Sequence, residues 1–161
     1  MRTEIKWVII IFIIHALWHV LERVVGLYGD LFKYQELSSW IFLIIYAGLI
    51  LLAVLDIKSN NNGYLNRRHG FVSSLFISFI LTALAPIMVG LVAYVIQPDF
   101  FNIMINNSLN AGEYRAYEAA AIDYSYWSYV KLYMAGYLLV GSLSGAFWSY
   151  LLHKIPDPVT D

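Results

Sequence analysis

Four continuous apolar runs dominate the sequence, and their length limits the fold more than any other feature. They cover residues 7–27, 37–55, 71–96 and 126–152. Crossing the hydrocarbon core of a bilayer takes about 20 apolar residues in a helix. The bilayer cannot hydrate bare backbone groups, and unbroken runs lack the alternation that barrel strands need. The sequence therefore predicts an all-α integral membrane protein, with a bundle of four transmembrane helices in one domain over residues 1–161.

The composition agrees with a membrane location and excludes several classes of function. Hydrophobic residues make up 60% of the 161 residues and charged residues 13%, against about 25% charged in soluble domains. The net charge of −1 excludes the strongly basic surface of a nucleic-acid-binding protein. The absence of cysteine excludes thiol catalysis, disulfides and zinc–thiolate sites. We therefore expect membrane lipid as the surroundings and no nucleic acid as a partner.

The distribution of lysine and arginine predicts the orientation of the chain. If both termini lie on one side, that side carries six basic residues, namely Arg2, Lys6, Lys58, Arg67, Arg68 and Lys154. The other side carries four, namely Arg23, Lys33, Arg115 and Lys131. Basic loops stay in the cytoplasm, so both termini are predicted to be cytoplasmic. The basic cluster of Lys58, Arg67 and Arg68 could contact lipid phosphate, but such clusters more often only set the topology.

The segment 97–125, between the third and fourth runs, is too long for a simple turn. Its first part begins at Pro98, a residue favoured in a first helical turn, and its aromatic residues are typical of a helix at the membrane interface. Its second part is rich in alanine and acidic residues, which indicates another short helix. We expect an outer loop that carries short interfacial helices.

Three local features predict details of the helices. Pro86 removes a backbone donor inside the third run, so a kink is expected near residues 83–86. Ser38 and Ser39 directly precede the unbroken apolar part of the second run, which begins at Trp40, and are candidate N-caps. Small residues at every fourth position of the fourth run form a packing face, which consists of Gly141, Gly145 and Ser149.

A polar stripe interrupts the first run. At 100° per residue, His19 lies 40° from His15 and Glu22 lies 20° from it on the other side. His15 is about 12 Å along the helix from Trp7, which places it near mid-membrane. Three interpretations are open: hydrogen bonds to neighbouring helices with no further role, a proton or ion path, and a divalent metal site. The metal site lacks a fourth ligand, because the other histidines of the chain lie at the predicted cytoplasmic ends of their runs, far from Glu22.

The fourth run offers partners for this stripe. If the small-residue face packs against the first helix, Lys131 lies at the depth of Glu22, so the sequence predicts an ion pair between them. Four tyrosines share one face of the same run, at Tyr126, Tyr129, Tyr133 and Tyr137. Such a face could stack on a ligand, but near the interface it more often anchors and packs the helix.

Several motifs together resemble a bacterial family of four-span membrane proteins known as domain of unknown function 4199. They are Trp18-x-x-x-Glu22-Arg23-x-x-Gly26-Leu27, Arg68-His69-Gly70-Phe71, Ala85-Pro86 and Gln97-Pro98-Asp99-Phe100-Phe101. The resemblance implies the same topology, an inner-membrane location and no assigned activity. It also implies a genetic association with a polyprenyl-phosphate-type glycosyltransferase. His15 and His19 are outside these motifs.

No catalytic motif is present: the chain has no P-loop, nucleophile elbow, H-E-x-x-H or dinucleotide-binding glycine pattern. We therefore expect a non-enzymatic accessory or scaffold subunit of the bacterial inner membrane, beside an enzyme of envelope lipid or glycan chemistry. Its partners would be a membrane-associated glycosyltransferase or a second copy of itself, and no cofactor is expected. The alternatives are a small ion- or proton-coupled carrier and, last, a metal-dependent intramembrane enzyme.

Overall fold

Six α-helices make up the part of the chain that a computed structural model describes, residues 3–153. They are α1 (Thr3–Val25), α2 (Gln35–Asn60), α3 (Arg67–Leu91), α4 (Phe100–Asn110), α5 (Tyr117–Asp123) and α6 (Tyr126–Leu152). A 3-10 turn, Phe32–Tyr34, precedes α2, and a π-helical turn, Val92–Ile96, extends α3. The described chain is 84% helical without a strand, and four helices are long and apolar enough to cross a membrane. The predicted all-α membrane fold is confirmed.

The helix ends differ from the predicted ends where turns intervene. α1 ends at Val25, because Gly26 adopts a left-handed φ of 87° that L side chains rarely take. α2 begins at Gln35, directly after the 3-10 turn, so Ser38 and Ser39 lie inside it. The prediction that they are N-caps is therefore wrong. Ser39 Oγ donates to Gln35 O instead, at 3.2 Å, and Ser38 is buried against α1.

The packing face of α6 lies against α3, and we call this contact the α3–α6 seam. Its members are Gly70, Ser74 and Ser78 on α3 and Gly141, Gly145 and Ser149 on α6. A Cβ added to Gly145 would lie 2.8 Å from Ser74 Oγ, and one added to Gly70 would lie 2.5 Å from Ser149 Oγ. The contacts advance by four residues on both helices, and each glycine of one helix faces a serine of the other. Such small residues let helix backbones approach closely in lipid.

The loop 97–125 folds into the two short helices that the sequence predicts, α4 and α5. α4 buries Phe100 and Met104 in a hydrophobic cluster with Met88 and Tyr129, among others. This end of the bundle, which we call the loop end, is therefore closed by α4. The opposite end, at Thr3 and His153, is called the terminus end.

Two residues of the predicted basic cluster bind the last turn of α6 at the terminus end. Lys58 Nζ donates to Leu152 O at 3.0 Å. The Arg67 guanidinium lies 2.7 Å from His153 Nε2. A cation at a helix C-terminus is favourable, because the helix dipole leaves partial negative charge there. Arg68 is exposed, and the predicted contributions of Arg2 and Lys154 to the orientation lie outside the described residues.

Pro86 lies within α3, and the helix continues through it to Leu91. The carbonyl of Pro86 accepts a hydrogen bond from Tyr126 OH at 2.9 Å, which ties α3 to the start of α6. The kink near residues 83–86 stays a prediction. The π-helical segment that follows α3 ends at Ile96, whose carbonyl accepts a hydrogen bond from Arg23 at the end of α1.

Candidate functional site

The polar stripe of α1 lies in the interior of the bundle. His15, His19 and Glu22 are 5%, 6% and 3% exposed. They share a face with the buried Val8 and Ile11, so hydrophobic and polar residues of this face pack on the neighbouring helices together. His15 is about 18 Å along the helix from Thr3, which is about halfway along α1.

Glu22 accepts hydrogen bonds at every position that a carboxylate offers. Trp18 Nε1 and Ser38 Oγ donate to Oε1, at 3.2 Å and 2.5 Å. His19 Nδ1 and Tyr28 OH donate to Oε2, at 2.7 Å and 2.6 Å. An ionised carboxylate has about four lone-pair sites. The donors come from α1, from the turn after it and from α2, so Glu22 joins these three segments.

The two histidines continue this network toward the middle of the bundle. His19 Nε2 lies 3.1 Å from His15 Nε2 and 2.8 Å from Tyr133 OH. On the other side of its ring, His15 Nδ1 is hydrogen-bonded to Tyr137 OH. The groups from Tyr137 to Glu22 therefore form an unbroken hydrogen-bonded chain. We call it the proton chain, and its members are Tyr137, His15, His19 and Glu22.

One arrangement of hydrogens satisfies the whole proton chain with neutral histidines. Tyr137 OH donates to His15 Nδ1, His15 Nε2–H donates to His19 Nε2, and His19 Nδ1–H donates to Glu22. This assignment of tautomers follows from the hydrogen-bond network. All three bonds point toward Glu22. A proton that joins the chain at one end can therefore leave at the other after each bond reverses, which is how imidazoles shuttle protons.

Tyr28 closes the cluster toward the loop end. It is 4% exposed, its ring packs edge-on to Phe100 of α4, and Asn107 Nδ2 donates to its carbonyl at 2.9 Å. Burial, and next the adjacent Glu22 carboxylate, raise the pKa of Tyr28 above its ordinary value. The hydroxyl therefore stays protonated at physiological pH and acts as a fixed donor to Glu22.

Aromatic rings enclose the two histidines. The His15 ring stacks on Phe42 with centroids 3.9 Å apart, and the His19 ring stacks on Tyr133 at 5.8 Å. The four tyrosines on one face of α6 thus have different contacts. Tyr133 and Tyr137 bind the histidines, while Tyr126 bonds to α3 and Tyr129 packs on Phe100.

The predicted ion pair between Glu22 and Lys131 is absent: no such contact within 4.0 Å joins these two described residues. The acceptor positions of Glu22 are taken by the four donors above, and Lys131 is exposed on α6. The prediction assumed that the small-residue face of α6 packs against α1. Because that face packs against α3, it does not bring Lys131 to α1.

The residues 3–153 contain no group of three histidine, aspartate or glutamate side chains placed to hold a metal ion. His15 and His19 do bring their Nε2 atoms together, but Glu22 contacts His19 at the far nitrogen, Nδ1. The weak metal candidates His15, His19 and Glu22 therefore do not converge on one point in this arrangement.

Sequence reasoning missed three partners of Glu22, namely Trp18, Tyr28 and Ser38. Trp18 carries a signal in retrospect, because it lies four residues before Glu22 on the same helix face. Ser38 and Tyr28 carry none, because their contacts depend on the turn at Gly26 that brings the chain back beside α1. Tyr46 was also missed; its hydroxyl donates to the carbonyl of Tyr137 at 3.1 Å.

Comparison with known proteins gives one match. A family model described as "Protein of unknown function (DUF4199)" matches residues 6–121. The matched region includes every motif on which the resemblance rests, as well as His15, His19 and Glu22, and it ends before α6. No curated protein and no solved structure matches the chain.

Proposed function

We propose a function for this chain on the premise that it belongs to the family described as "Protein of unknown function (DUF4199)", whose model matches most of its length. The description of the family names no activity. The chain is a multi-pass membrane protein. Its proposed function is proton transport, as a small carrier in which the proton chain takes up a proton and passes it along the membrane normal.

The observation that carries this proposal is the unbroken chain of titratable groups from Glu22 to Tyr137. Ionisable groups inside a membrane are costly, and where they occur in rows they commonly form proton relays. A helix needs no buried carboxylate and no pair of histidines for its packing alone. The directional hydrogen bonds and the aromatic walls, which exclude water, suit a path that protons use and other ions do not.

The proposal includes a location and an orientation. We place the protein in the bacterial inner membrane, with both termini in the cytoplasm. Support comes from the basic residues of the terminus end, including Lys6, Lys58, Arg67 and Arg68. Glu22 then lies near the outer boundary, and the proton chain covers the outer half of the membrane.

Proton flux in liposomes tests the proposal. Purified protein is reconstituted into liposomes that contain a pH-sensitive dye. A potassium gradient with valinomycin then drives protons inward. Tyr137→Phe removes only the hydroxyl at the inner end of the proton chain. Losing one hydrogen-bonded link raises the barrier by about 1–3 kcal/mol, so we expect flux to fall about 5- to 150-fold. Glu22→Gln is expected to abolish it.

Two matched variants control for unspecific effects. Tyr150→Phe, on an exposed tyrosine of α6, is the control for Tyr137→Phe. Glu36→Gln, on an exposed carboxylate of α2, is the control for Glu22→Gln. Both should keep wild-type flux. Wild-type protein that leaks no more protons than empty liposomes, at either orientation of the gradient, would reject the carrier.

The second candidate is the accessory or scaffold subunit, beside a membrane-associated glycosyltransferase or a second copy of the chain. One observation favours it: all four acceptor positions of Glu22 are occupied from within the chain, which is also what a purely structural hub requires. The flux experiment separates the two candidates, because a scaffold conducts no protons and shows equal traces for wild type and Tyr137→Phe.

A further inference from the structure

Three polar atoms cluster in the middle of the proton chain. His19 Nε2 lies 3.1 Å from His15 Nε2 and 2.8 Å from Tyr133 OH. The unprotonated nitrogen of an imidazole accepts through a single lone pair, so His19 Nε2 cannot serve both partners well by hydrogen bonds alone. A cation between the three atoms would instead take one lone pair from each of them.

The relative position of the two histidine rings fits a shared metal ion better than a straight hydrogen bond. A straight N–H···N bond between the Nε2 atoms would separate the ring centroids by about 5.4 Å, but the centroids are 4.7 Å apart. Two metal–nitrogen bonds of about 2.0–2.1 Å, at an angle of about 100°, end about 3.1 Å apart and place the centroids about 4.9 Å apart. Both rings project from one face of α1, so both Nε2 atoms can bind an ion on the same side.

The other nitrogen of each ring already has the kind of partner that a metal-binding histidine needs. His19 Nδ1 donates to Glu22 at 2.7 Å, and His15 Nδ1 is hydrogen-bonded to Tyr137 OH. Histidines that bind metals almost always donate their second N–H to a carboxylate or another oxygen, which leaves the Nε2 lone pair for the ion. When the metal binds, His15 therefore carries its hydrogen on Nδ1 and donates it to Tyr137. Glu22 orients His19 and does not touch the ion.

The charges of the cluster favour a divalent ion. Glu22 has no lysine or arginine partner among the described residues, and charged groups inside a membrane pair with opposite charge. A tyrosine that binds a metal ion as phenolate releases its proton, because metal ligands have to be deprotonated. The charge of a divalent ion is then balanced by Tyr133 and Glu22, so the occupied site is neutral.

We propose that His15 Nε2, His19 Nε2 and the Tyr133 oxygen bind one divalent transition-metal ion. Imidazole is a preferred ligand of ions such as Zn²⁺ and Cu²⁺, and three protein ligands with one open position are a known arrangement for zinc. The ion takes the lone pairs between which a proton would pass from His15 to His19, so the bound metal interrupts the proton chain. This interruption rests on the proposed carrier function, whereas metal binding does not.

Cu²⁺ binding to the purified protein tests the site without any transport measurement. The protein carries an affinity tag without histidine. It is equilibrated overnight with glycine-buffered Cu²⁺, because His15 and His19 are only 5% and 6% exposed and must open to load. We expect one Cu²⁺ per chain, with an electron paramagnetic resonance signal coupled to two nitrogens. Tyr133 as a ligand adds a phenolate-to-copper charge-transfer band in the visible spectrum.

Four variants assign the ligands. His15→Gln should remove the coupling to the second nitrogen, and Tyr133→Phe should remove the charge-transfer band but keep both nitrogens. Glu22→Gln should weaken Cu²⁺ binding about 10- to 100-fold, which is the usual effect of changing the partner of a metal-bound histidine. His69→Gln is the control for the histidine change, since His69 is exposed at the start of α3, and it should keep the whole signal.

The outcomes distinguish this inference from the carrier. Monodisperse wild-type protein without a two-nitrogen signal overturns the site, even if that protein conducts protons. A two-nitrogen signal that persists in His15→Gln assigns the copper to other residues and also overturns it. If His15→Gln does not fold, Tyr133→Phe decides, because a band that survives this change removes Tyr133 from the site.

Proton flux in liposomes then tests the interruption. In conducting protein, Cu²⁺ should lower the flux at least about tenfold, and a chelator should restore it. Flux that bound Cu²⁺ leaves unchanged overturns the interruption. Cu²⁺ binding to protein that conducts no protons supports the metal site and rejects the carrier.

Discussion

At the scale of single residues, Glu22 lies within the membrane-spanning helix α1 without a lysine or arginine partner among residues 3–153. A lysine or arginine is the usual means of holding a buried carboxylate, and the sequence predicted Lys131 for this role. Four hydrogen-bond donors replace it. Hydrogen bonds to an ionised acceptor are about twice as strong as neutral ones, so four of them can offset much of the lost hydration.

Tyr28→Phe tests this balance. The change removes one donor and leaves Oε2 of Glu22 with His19 alone, so we expect the free energy of unfolding to fall by about 1–3 kcal/mol. Tryptophan fluorescence during denaturation in detergent measures it. Tyr94→Phe, on a tyrosine that is 71% exposed, should change nothing.

The same variant gives a pH test. Because the pKa of Tyr28 is raised in the folded protein, its contribution is complete below the ordinary tyrosine pKa of about 10. It is lost only as the pH rises through the higher folded value. The stability difference between wild type and Tyr28→Phe should therefore stay constant between about pH 6 and about pH 9. A difference that grows or shrinks in this window would show that another group of the cluster titrates with Tyr28.

At the scale of the elements, complementary small residues decide which helices meet. A serine opposite a glycine in the α3–α6 seam fills the space that the missing side chain leaves. Gly145→Ser should therefore destabilise the protein by about 1–3 kcal/mol through overpacking, and Ser74→Gly should cost about 1 kcal/mol. The double variant exchanges the two residues and should recover most of the loss, with a coupling energy of about 0.5–3 kcal/mol.

Gly48→Ser on α2 is the control for the exchange, since a Cβ at Gly48 would meet nothing within 4 Å. It should change stability little, as measured in the same detergent denaturation. Losses that simply add in the double variant would mean that the two positions do not touch in the folded protein.

The elements could be predicted from the sequence because each apolar run carries its own signal. The match of 126–152 to α6 and the burial of the stripe on α1 follow from hydropathy and from the 100° step of a helix. The small-residue face of α6 was recognisable, but a single helix pattern does not say which neighbour covers it. The error with Lys131 arose there, as did the failure to foresee Ser38 and Tyr28, whose positions depend on a turn and not on a periodic pattern.

At the scale of the whole molecule, the four spans place both ends of the described chain at the terminus end. The proton chain lies in the half of the bundle toward the loop end, which α4 closes. The proposed orientation puts the loop between α2 and α3 inside the cell and the loop between α4 and α5 outside. Asn61→Cys and Glu113→Cys report on these exposed loops. An impermeant maleimide added to intact cells should label Glu113→Cys alone, and both after lysis. Labelling of Asn61→Cys alone in intact cells would reverse the orientation and exchange the entry and exit of the path.

The depth of His15 has an electrical consequence. A proton that reaches it from the loop end has crossed about half of the helix length and so about half of the transmembrane voltage drop. A full crossing is worth about 2.3 kcal/mol per 100 mV, so half of it is about 1.1 kcal/mol. In the proposed carrier, 100 mV of membrane potential would therefore change the ratio of protonated to neutral His15 about sevenfold. In a carrier built this way, the position of one side chain along α1 sets how strongly voltage, relative to pH, drives the cycle.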